Sequence, residues 1–163
     1  MQASTTDGCV FDMSGGTVTS PISDQPGGAV YMVDSKGTAT LRGGTIQNCR
    51  GTTGGAVYMT GGTFTISGDG KMENNTASQN GAALYLSGTG KVFVNGGNII
   101  GSSELNKEAI YMAGGEFTMT AGTIEDFKGS KSGAVFMQDG TFTMTNGIID
   151  NCSGTESGAI YMS

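Results

Sequence analysis

One phrase returns along this chain at a nearly constant interval. It reads Gly28-Ala29-Val30-Tyr31-Met32, Gly55-Ala56-Val57-Tyr58-Met59, Ala82-Ala83-Leu84-Tyr85-Leu86, Glu108-Ala109-Ile110-Tyr111-Met112, Gly133-Ala134-Val135-Phe136-Met137 and Gly158-Ala159-Ile160-Tyr161-Met162. Its aliphatic residue stands at positions 30, 57, 84, 110, 135 and 160, spaced by 27, 27, 26, 25 and 25 residues. Self-similarity at such a period marks stacked units that each contact only their neighbours, and it outranks local propensity.

Two further phrases fill each interval. The second reads Phe64-Thr65-Ile66, Val92-Phe93-Val94, Phe117-Thr118-Met119 and Phe142-Thr143-Met144, with weaker copies at Phe11-Asp12-Met13 and Ala39-Thr40-Leu41. The third follows a small-residue corner, as in Thr17-Val18, Thr45-Ile46-Gln47, Lys71-Met72-Glu73, Asn98-Ile99-Ile100, Thr123-Ile124-Glu125 and Ile148-Ile149-Asp150. All three alternate apolar residues with others, which is strand spacing, and none has the length a helix needs. Glycine and asparagine between them supply the positive φ of sharp corners. The expected fold is therefore all-β: a single-stranded parallel β-helix, or β-solenoid, with three strands per coil and about six coils of 25–28 residues. Residues 1–163 form one domain in this reading.

The aliphatic and methionine positions of the first phrase are expected inside. Ala29 and Tyr31, with their equivalents, are expected outside as a flat aromatic stripe. Phe64, Ile66, Phe117, Met119, Phe142 and Met144 fill the second wall, and Ile46, Met72, Ile99, Ile124 and Ile149 the third. The 30 glycines and few large aliphatics would otherwise suggest disorder; ten methionines add apolar volume, and each coil is covered above and below. With no histidine, the commonest general base and transition-metal ligand is missing. A net charge of −6 with eight scattered basic residues makes nucleic acid an unsuitable partner. No apolar run reaches the 18 residues of a membrane span, and the N-terminus shows no signal peptide.

The outward columns supply the candidate sites. Tyr31, Tyr58, Tyr85, Tyr111, Phe136 and Tyr161 form one column, suited to cross-rung stacking or to binding glycans or a protein partner. Thr38/Thr40, Thr63/Thr65 and Thr141/Thr143 resemble a flat ice-binding array, which Lys91, Phe93 and Glu116 interrupt. Gln47, Glu73, Glu125 and Asp150 share a column that reads as a solvated face. Cys9, Cys49 and Cys152 read as unbonded inward or corner residues; the last two occupy one repeat position four rungs apart, near 19 Å at about 4.8 Å per rung, beyond disulfide reach. Asn74 and Asn151 begin sequences that fit N-glycosylation and fall at exposed corners. No catalytic, cofactor or metal residues are assigned, and the chain is expected not to be an enzyme.

The Gly-Gly-Ala-Val-Tyr of residues 54–58, and the Met72-Glu73-Asn74-Asn75 that leads into the next copy, resemble the repeats of chlamydial polymorphic outer membrane proteins and related β-helix proteins. The last asparagine of that second motif is replaced in Ile46-Gln47-Asn48-Cys49, Ile124-Glu125-Asp126-Phe127 and Ile149-Asp150-Asn151-Cys152. The resemblance covers nearly the whole chain. It implies a right-handed helix, an extracellular or cell-surface setting, and adhesive or structural work, with no substrate.

Both ends are expected to be uncapped. The chain stops on the first phrase at Ile160-Tyr161-Met162 and opens into the second at Phe11, so end and beginning are complementary in phase. The expected function is that of an extracellular structural or adhesive solenoid, a subunit of, or segment from, a head-to-tail filament or long surface fibre. Its partner is itself, with glycans or cell-surface proteins as further candidates, and Phe11, Ile160 and Met162 are the assembly residues beside the tyrosines. A carbohydrate-binding or carbohydrate-cleaving β-helix is the alternative, and an ice-binding solenoid the next.

Overall fold

A computed structural model describes residues 8–20, 24–101 and 107–163. The stretch 1–7, ahead of the end expected to be uncapped, lies outside them. The described residues contain no helix, hence none that could cross a membrane. Their strands are β1 (Val10–Thr19), β2 (Val30–Met32), β3 (Thr38–Gln47), β4 (Arg50–Thr53), β5 (Val57–Met59), β6 (Thr63–Ile66), β7 (Lys71–Glu73), β8 (Thr76–Asn80), β9 (Leu84–Leu86), β10 (Lys91–Ile100), β11 (Ile110–Glu125), β12 (Val135–Met144), β13 (Ile148–Asp150) and β14 (Ile160–Met162).

Every ladder is parallel, and each phrase lies on its own copy. The first stacks Val30, Val57, Leu84, Ile110, Val135 and Ile160 in register. The second stacks Phe11, Ala39, Phe64, Val92, Phe117 and Phe142. The third stacks Val18, Ile46, Met72, Ile99, Ile124 and Ile149. The molecule is a β-solenoid of about six turns, a rod roughly 30 Å long at about 4.8 Å per rung. The corner after the third strand is left-handed: Asn48, Asn74, Asp126 and Asn151 have φ of 53°, 52°, 64° and 45°. Asn and Asp visit this region at least cost among residues with a Cβ.

The core follows the expected columns. Val57, Leu84, Ile110, Val135, Phe64, Phe117, Ile46, Met72, Ile99 and Ile124 are fully buried. Their equivalents Phe142 and Ile149 on the last coil are half-buried, and Met144 is exposed, because no coil lies over them.

Two features depart from the sequence reading. The alanines expected beside the tyrosines on the surface are inside: Ala56, Ala83, Ala109 and Ala134 are buried. Strand alternation fails one residue before the aliphatic. Ala29 and Val30 both donate to the Ala56 carbonyl at 2.9 Å, and Ala56 and Val57 both donate to the Ala83 carbonyl. Two successive N–H groups aimed at one acceptor bend the chain, so the alanine turns inward against the corner. The polar return between coils, beyond the three expected strands, also builds a ladder of its own. β4 pairs with β8, and bridges join Lys128 to Ser153 and Ser132 to Ser157.

Candidate functional site

The tyrosine column is a continuous stack. Tyr31–Tyr58, Tyr58–Tyr85, Tyr85–Tyr111 and Tyr111–Phe136 have ring centroids 5.2, 5.2, 5.4 and 4.9 Å apart, with planes within 7° of parallel. The last pair, Phe136–Tyr161, opens to 30°, where the Lys131 ammonium lies 5.7 and 5.2 Å from the two centroids. The stack follows from register: a rung repeat near 4.8 Å leaves each aromatic ring only the face of its neighbour to lie against. Interior ring faces are therefore occupied by other rings, and what reaches solvent is a row of edges and hydroxyls. Burial pushes the Tyr58 and Tyr85 phenols up, and neighbouring tyrosines add to the rise. Burial and then the Glu108 carboxylate raise Tyr111. The Tyr111 hydroxyl donates to Gln138 Oε1 at 3.0 Å.

The threonine columns hold the expected register, with Thr38 on Thr63 and Thr40 on Thr65. Their middle is a different surface. Lys91 pairs with Glu116 at 3.0 Å, and Phe93 stands between Thr65 and Thr118. On the first coil Asp12 meets Arg42 in a short ion pair. Gln47 lies on Glu73, and Glu125 on Asp150. Among the described residues the three cysteines are free: Cys9 is exposed on the end coil, Cys152 half-buried and Cys49 buried. Burial raises both corner thiols, and for Cys152 the carboxylates of Asp126, Asp150 and Glu125 add to the effect. Asn74 and Asn151 are exposed, and Asn151 donates its side-chain amide to Asp126.

Two structural residues escaped the sequence reading. Asn75 is buried; its carbonyl accepts from Cys49 N at 3.0 Å and its amide donates to Ile46 O at 3.0 Å, clasping the preceding coil. Glu108 takes the place of the glycine in the first phrase. Gly27 N and Gly54 N donate to backbone carbonyls of the next coil, Thr53 O and Asn80 O, whereas Gly81 N donates to Glu108 Oε1 at 2.8 Å. Burial pushes the Glu108 carboxyl above its ordinary value, and the hydrogen bonds it accepts only partly offset this.

The assembly candidates fall on the end rungs. The described residues carry seven exposed large hydrophobics: Val10, Phe11, Tyr31, Val33, Met144, Ile148 and Met162. Every one lies on the first or last rung of its column; Met162 is 74% and Val10 77% exposed. Ile160 is half-buried beside Met162. The N-terminal end holds a recess of about 240 Å³ lined by Val10, Phe11, Val30, Tyr31 and Met32. The C-terminal end holds one of about 670 Å³ lined by Met137, Phe142, Ile160, Tyr161 and Met162. No protein-family model matches this chain, and no curated protein or solved structure shows significant similarity to it.

Proposed function

We propose that this chain is a non-enzymatic structural and adhesive rod of the extracellular space or cell surface, extended into a head-to-tail fibre by further coils laid on its end rungs. The observation that supports this reading is the confinement of all seven exposed large hydrophobics among the described residues to those rungs. Between the ends the walls carry the aromatic stack, threonines, asparagines and paired charges, whereas large apolar side chains are exposed only on the end rungs, beside unpaired strand edges. The contact is heterologous and does not close, so its product is a fibre and not a ring. The tyrosine stack serves this role as an external spine. It is poorly disposed to receive sugars, because stacking on a sugar needs a ring face and the interior faces are covered.

The test is assembly of the purified chain. Light scattering and negative-stain microscopy across a concentration series should show mass growing with concentration and unbranched fibres one solenoid wide. A monodisperse monomer at every concentration overturns the reading. Protease treatment of intact source cells should remove the protein if it is displayed outside.

A further inference from the structure

We propose that Tyr31, Tyr58, Tyr85 and Tyr111 form a relay that passes a one-electron oxidising equivalent along the rod, from whichever phenol meets an oxidant to the others. The proposal is independent of the fibre reading and gives the aromatic column a redox activity of its own.

Tyrosine and tryptophan are the aromatic side chains that give up an electron most readily. This chain has no tryptophan and five tyrosines, four of which are consecutive members of one stack. Electron exchange between rings weakens steeply with the gap between them. Here successive centroids lie 5.2, 5.2 and 5.4 Å apart with planes within 6° of parallel, so face meets face with no other side chain between. The overlap is fixed by the backbone, because the four residues pair in register on parallel strands. The rings of Tyr58, Tyr85 and Tyr111 are half-buried, and their hydroxyls stand at the outer edge of the stack, where water can exchange a proton with each. The oxidant class is a one-electron acceptor, such as a peroxidase charged with hydrogen peroxide or a peroxyl radical. It takes one electron from a phenol, the O–H bond breaks, the proton passes to water, and a neutral phenoxyl radical remains. In each later step the neighbouring phenol gives an electron to that radical and a proton to water, and the first ring regains its proton from water. One phenol is restored as one radical forms, so nothing further is consumed.

The relay has a boundary within the stack. Phe136 continues the column 4.9 Å from Tyr111 but has no O–H bond to break. The Lys131 ammonium, 5.7 Å from the Phe136 centroid, further opposes positive charge on that ring. Tyr161 lies beyond Phe136 and so outside the relay. The sulfur groups compete little. Cys49 and Cys152 occupy the corner after the third strand, away from the tyrosine column, and burial raises both, which keeps them as thiols and not the thiolates that oxidise readily. Met32, Met59 and Met112, next in sequence to three of the tyrosines, are buried in the core.

The test ties a photo-oxidant to one place on the rod. In a Cys9→Ser, Cys152→Ser background that leaves the buried Cys49, Asp139→Cys carries a ruthenium tris-bipyridyl complex at the exposed corner paired with Ala113, next to the Phe136 rung. Light and persulfate turn the complex into a one-electron oxidant. A nitroso spin trap marks each ring that holds the radical, and trypsin leaves each of the four tyrosines in a peptide of its own for mass spectrometry. Marks should extend from Tyr111 through Tyr85 and Tyr58 to Tyr31. Tyr58→Phe with Tyr85→Phe keeps the stack, as Phe136 already does, but removes two stations. In that variant Tyr31 should lose its mark while Tyr111 keeps its own. Marks confined to Tyr111 in the full column overturn the relay. A Tyr31 mark that survives the double substitution overturns it as well, since the complex then reaches that ring directly. If the double variant loses its cooperative melt, Tyr58→Phe alone decides: Tyr85 and Tyr111 should stay marked while Tyr31 fades, and an undiminished Tyr31 mark overturns the proposal.

Discussion

Asn75 does from a side chain what a strand edge does from the backbone. Its amide satisfies Cys49 N and Ile46 O inside a corner that water does not reach. Asn75→Ala would strand both groups at about 1–3 kcal/mol each, so a loss of roughly 2–6 kcal/mol is expected in urea unfolding. Glu108 is the opposite case, a buried carboxyl whose folded pKa is raised. A raised acid pKa means the folded state holds the proton more tightly than the unfolded chain. The group therefore costs nothing at low pH, and stability declines as pH rises from the ordinary carboxyl value through the folded one. Glu108→Gln keeps an acceptor for Gly81 N without the charge. It should be the more stable protein at neutral pH, with the difference vanishing in acid, as read by urea midpoints across pH. Gly55 is constrained by proximity: a Cβ there would sit 2.1 Å from Ala82 O and 2.3 Å from Thr76 O. Gly55→Ala should lower the urea midpoint, because the two backbone carbonyls must shift to admit a methyl, although Ala82 holds the equivalent place one coil on. The repeat places glycine or alanine at this position in every copy but the fourth, where Glu108 stands, and the two carbonyls explain the glycine of the second copy. What the repeat cannot disclose is which donor goes unpartnered at a corner, so the parts played by Asn75 and Glu108 are legible only once the coils lie on each other.

At the scale of the strand, the aromatic column is the plainest case of like lying on like. An interior ring such as Tyr85 has two stacked neighbours and Tyr31 has one. Aromatic pairs contribute about 0.5–1.5 kcal/mol each beyond their buried area, so Tyr85→Ala should cost about 1–3 kcal/mol on that account and Tyr31→Ala half as much. Equal losses in denaturant melts would show that stacking is incidental. Because burial raises the Tyr58 and Tyr85 phenols, the folded state resists their ionisation. Stability should fall as pH climbs past the ordinary tyrosine value, and tyrosinate absorbance should lag behind that of the urea-unfolded chain. The three strands of each coil and their inward residues were readable from period-two alternation. The alanines are not, because period-two alternation ends at the bend where Ala29 and Val30 share the Ala56 carbonyl. The β4–β8 ladder was hidden for a related reason: its pairs, such as Gly51 with Ala77, carry no apolar alternation to announce a strand. The tyrosines were singled out rightly as a column, but their faces could be assigned only from ring geometry.

Over the whole rod, each coil is held by its neighbours alone, so stability should be graded along the axis. Hydrogen exchange should be slowest at Leu84 and Ile110, which have several rungs on either side, and fastest at Ile160. The chain's period makes the rod legible. The recesses at the first and last rungs emerge only with the strands in place. One consequence is mechanical. The parallel ladders run their hydrogen bonds along the length of the rod, so tension applied between its extremities meets one coil's bonds at a time, as in a zip fastener. Stretched in an optical trap, the molecule should give a sawtooth of low, even forces. Each tooth would release one coil of 25–27 residues, or roughly 85–95 Å of slack at about 3.5 Å per residue.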